Sequence, residues 1–324
     1  MNDLLTIRGL TLDFRSMRGV VKALDGVNLA LGEGEILGLV GESGCGKTVT
    51  GLSVLGLLPG EQAKTGGEIL FEGRDLLTEG DAELQKIRGR KISMVFQDPL
   101  AALNPVFTVG EQISRVIREH TSASKRDAES QTRDALAATG LPTSNSLVRS
   151  YPHQLSGGMR QRVCMAMAIS CGARLLIADE PTTALDVTIQ AQILRLLLRL
   201  RDEHGLAQIL ITHNVAVAAQ SCDRMAVMYA GTVVEQGPTK NIMKNSSHPY
   251  TVALYHCLPH GKKAGDLRMI PGAVPDLIDP PPGCRFHPRC EHAMDICVNT
   301  KPEPTEVGDG HWAACHYVAA RMEN

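Results

Sequence analysis

The sequence predicts an α/β fold: a central sheet with helices, an inserted helical subdomain and a small loop-rich C-terminal extension. Short apolar runs alternate with amphipathic segments over residues 1 to about 238, which is the pattern of a sheet covered by helices. One of these runs leads directly into a glycine-rich loop followed by a helix-like segment. From Pro271 onward, closely spaced prolines disfavour the interiors of helices and sheets.

The individual elements follow from the same patterns. Residues 98 to about 160 are polar with helical periodicity, and residues 110–120 and 125–140 are candidate helices, so we expect a helical subdomain there. The alternating pattern ends near residue 238, which gives a domain over 1–238 and an extension over 239–324. The predicted strands of the sheet are residues 35–40, 91–96, 174–178, 208–212 and 225–229.

Composition and charge exclude several classes of protein. The chain has 324 residues, of which 43% are hydrophobic, and its formal net charge of −2 offers no large basic field for nucleic acid. No apolar stretch approaches about 18 residues, and the N-terminus lacks a basic segment followed by an apolar one. We therefore expect a cytosolic chain whose nine cysteines are reduced thiols or metal ligands rather than disulfides.

Residues 41–48 fit the phosphate-binding pattern G-x-x-x-x-G-K-[ST] between a strand and a helix. The backbone N–H groups of such a loop surround phosphate oxygens at a helix N-terminus. Lys47 is expected to reach the β- and γ-phosphates of a nucleotide, and the Thr48 hydroxyl to hold Mg²⁺. A glycine-rich turn with a chance lysine is the alternative, but strand, spacing and helix all favour the nucleotide site. The predicted nucleotide contacts are Gly41, Glu42, Ser43, Gly44, Cys45, Gly46, Lys47 and Thr48.

Two carboxylates follow the apolar run at residues 175–178. Asp179 is predicted to hold Mg²⁺, directly or through water, and Glu180 to polarise the water that attacks the γ-phosphate. An apolar run that ends in Asp-Glu is also a common surface ending. The phosphate loop upstream favours the functional interpretation.

A second glycine-rich turn precedes a helix at Leu155-Ser156-Gly157-Gly158-Met159. Ser156 and the two glycines would form another anion-binding site, or Ser156 would simply cap the helix. Here the chain resembles the ATP-binding subunits of ABC transporters, whose signature is LSGGQ. Met159 replaces the usual glutamine, and the serine and glycines that contact phosphate in that family are intact.

The resemblance extends to four further positions in the expected order. Gln97 matches the Q-loop, which contributes to Mg²⁺ and water binding, and Asp186 matches the D-loop at the dimer interface. His213 matches the switch histidine that contacts the γ-phosphate. Phe14 is the candidate for the aromatic residue that stacks on adenine. Taken singly, Gln97 or His213 would more often be a solvated side chain, but the ordered set supports these roles.

The resemblance implies a P-loop NTPase fold with a RecA-like core that hydrolyses ATP. In this family ATP lies between the phosphate loop of one subunit and the signature of another. The chain contains only one cassette, so it must pair with itself or with a related subunit. We expect a head-to-tail dimer that closes on ATP and opens after hydrolysis.

Cys45 occupies a position where many relatives have serine. Only its backbone N–H is needed for phosphate contact, so catalysis should tolerate it. A thiol at a helix N-terminus beside Lys47 is expected to have a lowered pKa and high reactivity. Thiol reagents are therefore predicted to inactivate the enzyme, and ATP to protect it.

The C-terminal part resembles the extension of oligopeptide, dipeptide and nickel importer ATPases, through His248-Pro249-Tyr250-Thr251 and the segment 282–290. The resemblance implies an importer, most often of peptides, with the chain on the cytoplasmic face of the membrane. The implied partners are two transmembrane permease subunits, a second identical or related ATPase, and an extracytoplasmic solute-binding protein.

Four cysteines in the extension have five, six and seventeen residues between them, a spacing that is poor for a structural zinc site. The resemblance implies a [4Fe–4S] cluster held by four thiolates. Zinc with help from histidine, and unligated thiols, are the alternatives. Either metal would act mainly to cross-link a tail without its own core. The cysteines are Cys284, Cys290, Cys297 and Cys315.

Three other functions compete with peptide import. The same machine could move nickel, glutathione or another small solute, and the motifs do not separate these cargoes. A soluble ABC ATPase acting on DNA or ribosomes is disfavoured because sustained heptads are missing between phosphate loop and signature. A regulator without turnover is disfavoured because Glu180 and His213 are both present.

Overall fold

The structure, a computed structural model, describes residues 3–59, 62–257 and 270–322. The chain forms two compact units. Unit 1 comprises Met1–Gly32, Ile36–Thr78 and Thr212–Asn324, and unit 2 comprises Glu33–Glu35 and Glu79–Ile211.

The elements follow the predicted alternation of strands and helices. The strands are β1 (Leu5–Ser16), β2 (Gly19–Leu31), β3 (Ile36–Val40), β4 (Ala63–Phe71), β5 (Arg74–Asp75), β6 (Ile92–Val95), β7 (Leu175–Asp179), β8 (Ala207–Thr212), β9 (Arg224–Tyr229), β10 (Thr232–Pro238), β11 (Pro304–Gly308) and β12 (His311–Ala314). The helices are α1 (Lys47–Leu55), α2 (Asp81–Ile87), α3 (Pro99–Ala102), α4 (Val109–His120), α5 (Lys125–Ala138), α6 (Asn145–Val148), α7 (Gly157–Ile169), α8 (Val187–His204), α9 (Val215–Ser221), α10 (Thr239–Asn245), α11 (Pro249–His256), α12 (Asp295–Asn299) and α13 (His316–Met322). The five predicted strands correspond to β3, β6, β7, β8 and β9, and the two predicted helices to α4 and α5.

Unit 1 contains an antiparallel sheet in the order β2-β1-β4-β5. β1 is its long central strand, and Phe14 lies opposite Val21 on β2 and opposite Ala63 on β4. Leu5, Leu10 and Leu12 of β1 are buried, and apolar burial of this kind stabilises the sheet.

In unit 1, a second set of paired strands joins the part of the chain before residue 238 to the C-terminal extension. β3 pairs in parallel with β9, which continues antiparallel to β10. β12 of the extension then pairs with β10, and β11 pairs with β12. The extension therefore adds two strands to this set instead of forming only loops. Most of its prolines precede residue 289, which leaves the later segment free to form regular structure.

The extension also shares a buried core, so the expectation of a coreless tail is wrong. Tyr229 of β9 is fully buried against Tyr250 of α11 and Phe286, with ring centroids 4.7 and 5.1 Å away. Cys284 and Cys290 pack against the same cluster. Aromatic groups bury large areas, which the sequence pattern of prolines does not reveal.

Unit 2 combines a parallel sheet with the predicted helices. β7 pairs in parallel with β6 and with β8, and all five of its residues are buried. α4 begins with a capping box in which Thr108 and Glu111 bond each other's backbone N–H groups. α7 contacts α4, α5 and α8, and so lies at the centre of the helical part.

None of the helices in the described part of the chain is both long enough and apolar enough to span a membrane.

Candidate nucleotide-binding site

The phosphate loop, residues 41–48, connects β3 to α1 in unit 1. All five residues of β3 are buried, which fixes the start of the loop. Ser43, Gly44 and Thr48 are exposed, whereas Cys45 and Lys47 are buried. The N-cap of α1 is Gly46, which has no side chain to offer the first turn. A helix N-terminus opened by a glycine-rich loop is a site for phosphate.

Two glycines of the loop are favoured by close approaches and, at Gly46, also by a positive φ. A Cβ at Gly41, where φ is 159°, would lie 2.2 Å from the carbonyl oxygen of Met228. A Cβ at Gly46, where φ is 108°, would lie 2.8 Å from Leu24 Cδ2. At Gly44 a Cβ would meet no described atom within 4 Å. The loop is therefore packed closely against Met228 and Leu24, and it has room for a ligand at Gly44.

Lys47 folds back over the loop backbone. Its Nζ donates to the carbonyl oxygens of Gly41 at 2.8 Å and Glu42 at 2.9 Å, and the residue is 4% exposed. The ammonium group is thus held against the loop backbone, and it must give up part of these contacts to bind a phosphate oxygen as a point charge.

The prediction of a reactive Cys45 with a lowered pKa is wrong. Burial raises the pKa of Cys45, and the charge of Lys47 opposes this only in part. Lys47 Nζ lies 3.7 Å from the sulfur, but Cys45 is 0% exposed. Because reagents attack an accessible thiolate, Cys45 is a buried packing residue, and the predicted protection by ATP loses its basis.

The predicted catalytic carboxylates lie at the end of β7 in unit 2. Asp179 is 4% exposed. Glu180 has a φ of 45°, a left-handed conformation that is uncommon for a non-glycine residue. Its Oε2 accepts hydrogen bonds from Gln97 Nε2 at 3.0 Å and Thr183 Oγ1 at 2.9 Å. The structure therefore brings Gln97 and Glu180 together, and Thr183 is a contact that the motifs missed.

The signature segment opens α7 in the same unit. Ser156 is the N-cap, and its hydroxyl accepts the N–H of Met159 at 3.3 Å. A Cβ at Gly158 would lie 2.7 Å from Ile189 Cγ2 on α8, so only glycine permits this packing. Asp186 caps α8 by accepting the N–H of Ile189 at 2.9 Å. The capping role considered for Ser156 is thus confirmed, and an additional phosphate contact stays a prediction.

The remaining predicted residues lie in unit 1 with the phosphate loop. His213 follows β8 and is exposed, next to Asn214, which caps α9. Phe14 is partly buried on β1. Of the predicted site residues, those in unit 2 are Gln97, Ser156, Gly157, Gly158, Asp179, Glu180 and Asp186.

Two contacts to the phosphate loop were not predicted from the sequence. Both contacts join Glu42 to the extension. The Glu42 N–H donates to the Tyr250 hydroxyl, and Arg289 donates to the Glu42 carboxylate. The signals were present, because Tyr250 belongs to the His-Pro-Tyr-Thr motif and Arg289 precedes Cys290. Neither pattern says which part of the chain the side chain contacts.

The four cysteines of the extension lie close enough for the charge of one thiolate to affect the pKa of another. Burial raises the pKa of Cys284 to about 11, and the charges of Cys315, Cys297 and Cys290 act in the same direction. The pKa of Cys290 and of Cys315 is also raised, by burial first and by the charge of Cys297 among other groups. The backbone N–H of Cys284 donates to the carbonyl oxygen of Cys297 at 2.8 Å. The fold therefore gathers thiols that are far apart in sequence.

Backbone N–H groups point at three of these thiols. They come from Phe286 to Cys284, from His292 to Cys290, and from Tyr317 and Val318 to Cys315. Such bonds favour the thiolate form, which is the form that binds metal, but burial outweighs them and the pKa of all three thiols is raised. Over the described residues, no group of three or more His, Cys, Asp or Glu side chains is arranged to hold a single metal ion.

Comparison with known proteins agrees with this geometry. Residues 24–183 match the family described as ABC transporter, and residues 234–297 match the family described as oligopeptide/dipeptide transporter, C-terminal region. The dipeptide transport ATP-binding protein DppD of Bacillus subtilis is 45% identical, over 100% of this chain and 97% of its own length. The oligopeptide transport ATP-binding protein OppD of Escherichia coli is 44% identical, over 96% of this chain and 92% of its own.

Solved structures give the same result for the cassette. The dimeric bacterial ABC transporter cassette MJ0796 is 28% identical, with a TM-score of 0.65, over 72% of this chain and 98% of that one. A post-hydrolysis state of the same cassette, bound to ADP and phosphate, matches equally well. The chain therefore belongs to the ABC transporter ATPases, in the group that carries the oligopeptide/dipeptide transporter C-terminal region.

Proposed function

We propose that this protein is the ATP-hydrolysing subunit of an importer of dipeptides or oligopeptides, bound peripherally to the cytoplasmic face of the membrane. The observation that carries the proposal is the C-terminal region, because the relatives that share it along the whole chain are dipeptide and oligopeptide transport ATP-binding proteins. The cassette alone supports only an ABC ATPase.

We assign the chemical roles from the motifs, with support from the geometry where a contact is observed. Lys47 and Thr48 are assigned to the phosphates and to Mg²⁺ of ATP, and Asp179 to Mg²⁺. Glu180 is assigned as the base that polarises the attacking water, because two hydrogen bonds orient its carboxylate. Gln97 positions that carboxylate.

The remaining assignments concern recognition of ATP in a dimer. His213 is assigned to the γ-phosphate and Phe14 to adenine stacking. Ser156, Gly157, Gly158 and Asp186 are assigned to the ATP bound by the second subunit. The dimeric state of the similar cassette MJ0796 supports this arrangement. We propose that the second subunit is an identical or related ATPase.

The domain boundary near residue 238 stays part of the proposal, with the cassette before it and the extension after it. The four extension cysteines, Cys284, Cys290, Cys297 and Cys315, are proposed to hold a [4Fe–4S] cluster. The electrostatic coupling among these thiols and the backbone N–H groups directed at three of them support this assignment, whereas their arrangement in the described residues would have to tighten to hold a metal. When bound, the cluster would cross-link segments of the extension. Anaerobic purification followed by iron, sulfide and zinc analysis tests it, and a preparation without iron and sulfide would refute it.

The import function is tested by isolating the assembly. A tagged copy is purified from detergent-solubilised membranes of the source organism, and the proteins bound to it are identified by mass spectrometry. We expect two polytopic permeases, a second ATPase and a peptide-type extracytoplasmic binding protein. Recovery of a nickel- or glutathione-type binding protein would show that the cargo is nickel or glutathione instead of peptide. Recovery of only soluble nucleic-acid or ribosomal partners would refute the importer function.

A further inference from the structure

Glu42 of the phosphate loop is held at all three of its polar groups. Its carbonyl oxygen accepts from Lys47 Nζ at 2.9 Å, within the loop itself. Its N–H donates to the hydroxyl of Tyr250 at 3.0 Å, and its carboxylate accepts from Arg289 Nη1 at 3.0 Å. Two of the three partners therefore belong to the C-terminal extension.

Arg289 is fixed by several partners at once. Its side chain is 7% exposed, against 25% for Glu42. Nη1 also donates to the Tyr229 hydroxyl at 3.2 Å, and Nε donates to the carbonyl oxygen of Pro271 at 2.7 Å. A charged hydrogen bond in such a buried setting is stronger than one at the surface, provided that the other donors are satisfied.

Tyr250 is equally constrained. It is fully buried, and its ring centroid lies 5.3 Å from that of Phe286. Its backbone N–H donates to His248 Nδ1 at 3.0 Å, which caps α11. The His-Pro-Tyr motif thus starts a helix at the position that aims the Tyr250 hydroxyl at Glu42.

A second connection runs through the turn after β9. Arg285 donates to the carbonyl oxygen of Ala230 and forms an ion pair with Asp25 at 3.3 Å. Gly231, which follows Ala230 in the chain, donates its N–H to the carbonyl oxygen of Cys45 in the phosphate loop at 2.9 Å. Arg285 and Arg289 both lie in the segment 284–290, named here the cysteine loop.

We propose that Tyr250 and Arg289 are positioning residues for the phosphate loop, through which the extension sets the affinity for ATP. Lys47 Nζ makes three contacts within the loop, to Gly41, Glu42 and Cys45, and an ammonium group has only three donors, so it must give up at least one of them to bind phosphate. The contacts from Tyr250 and Arg289 to Glu42 do not depend on Lys47 and can stay in place while phosphate is bound. The inference rests on the phosphate loop being the ATP site, as proposed above.

Nucleotide binding by the full-length protein tests this. Arg289→Ala should raise the Kd for ATP about fivefold to tenfold, and Tyr250→Phe, which removes only the hydroxyl, about threefold. The Kd of Arg289→Lys should fall between those of wild type and Arg289→Ala, because lysine keeps the positive charge but lacks the planar guanidinium with its several N–H donors. Arg18→Ala is the matched control, since its ion pair with Asp276 is exposed on both sides.

Positioning is separated from a general loss of stability by two readouts. The effects of Glu42→Ala and Arg289→Ala should add only in part in the double variant, because each substitution removes the Glu42–Arg289 contact. At saturating ATP, kcat should stay within about twofold of wild type while KM rises. By reciprocity, ATP should slow hydrogen exchange in the cysteine loop of the wild type but not of Arg289→Ala.

The outcomes distinguish this inference from the proposed function. Wild-type affinity in both Arg289→Ala and Tyr250→Phe, or additive effects in the double variant, would overturn the positioning role. If Arg289→Ala does not fold, Tyr250→Phe decides alone, since it preserves the buried ring. Unchanged ATP binding in Lys47→Ala, measured in parallel, would instead overturn the phosphate loop as the ATP site.

Discussion

The phosphate loop and the signature segment are both glycine-rich turns that open a helix, but they are held in different ways. In the signature segment, Ser156 caps its own helix and Gly158 packs against Ile189 of the following helix. In the phosphate loop, Glu42 is held by residues 208 and 247 positions further along the chain. One turn is a local structure, and the other depends on the folded extension.

The largest expected effect is on the rate of ATP hydrolysis, from a substitution of the proposed catalytic base that leaves both turns intact. In Glu180→Gln the side chain cannot accept a proton from water, so hydrolysis should fall at least about 100-fold. The Kd for ATP should stay within about twofold, because neither turn is changed. Single-turnover rates and nucleotide binding on one preparation check both numbers, and full turnover would contradict the assigned base. Thr183→Ala, which removes one bond to Glu180, should have a smaller effect.

Alanine substitutions within the phosphate loop separate packing from strain. Gly41→Ala should lower the free energy of unfolding by about 3 kcal/mol, because its Cβ would overlap the Met228 carbonyl. Gly44→Ala should lower it by only about 1 kcal/mol, because only its left-handed φ of 77° is unfavourable. Urea unfolding of the two variants measures the difference. Equal losses of unfolding free energy in the two variants would show that the loop is not closely packed against Met228 at Gly41.

The pH dependence of stability tests the extension side of the comparison. Burial lowers the pKa of His248 to about 4, with the charge of Glu235 acting in the opposite direction. Between about pH 6.5 and pH 4 the unfolded chain binds a proton that the folded chain excludes. Stability therefore falls as the pH falls through this window, by about 3 kcal/mol in total.

His248→Asn is the matching variant for that titration. The asparagine oxygen can still accept the N–H of Tyr250, but it does not titrate. Urea unfolding near pH 7 and near pH 5 should show a smaller loss for His248→Asn than for wild type. The same loss in both proteins would mean that other groups cause the acid sensitivity.

The smallest expected effect concerns the local turn. Ser156→Ala should lower the free energy of unfolding by about 1 kcal/mol through loss of the cap. Its effect on ATP binding by the isolated monomer should be negligible, because Glu42 does not depend on α7. Ser170→Ala is the control, since this hydroxyl donates to the Met167 carbonyl at the other end of the helix. A large loss of monomer affinity in Ser156→Ala would contradict the comparison.

Prediction from the sequence succeeded where the structure is local. The apolar run of β3, the periodicity of α4 and the serine before α7 each depend on a few neighbouring residues. Pairing of Phe14 with Ala63, and of β12 with β10, depends on distant partners that a periodic pattern does not encode. The motifs predicted which loops and element ends carry the candidate site residues, but not the groups that hold those residues.

The two wrong expectations have the same origin. For Cys45 the sequence shows the charge of Lys47 but not the burial that outweighs it. For the extension it shows prolines but not the aromatic cluster of Tyr229, Tyr250 and Phe286. Burial is a property of the folded chain, and both errors came from judging a residue by its neighbours in sequence.

The contacts of Glu42 join residues that are made at very different times during synthesis of the chain. Ribosomes extend the chain from the N-terminus, so the phosphate loop emerges long before Tyr250 and Arg289. A nascent chain that ends before residue 249 already carries both glycine-rich turns and the two carboxylates proposed for catalysis. It lacks Tyr250 and Arg289, so from their proposed positioning role we expect it to bind ATP about fivefold to tenfold more weakly than the full-length chain. The affinity for ATP would then reach its final value only after the cysteine loop has left the ribosome.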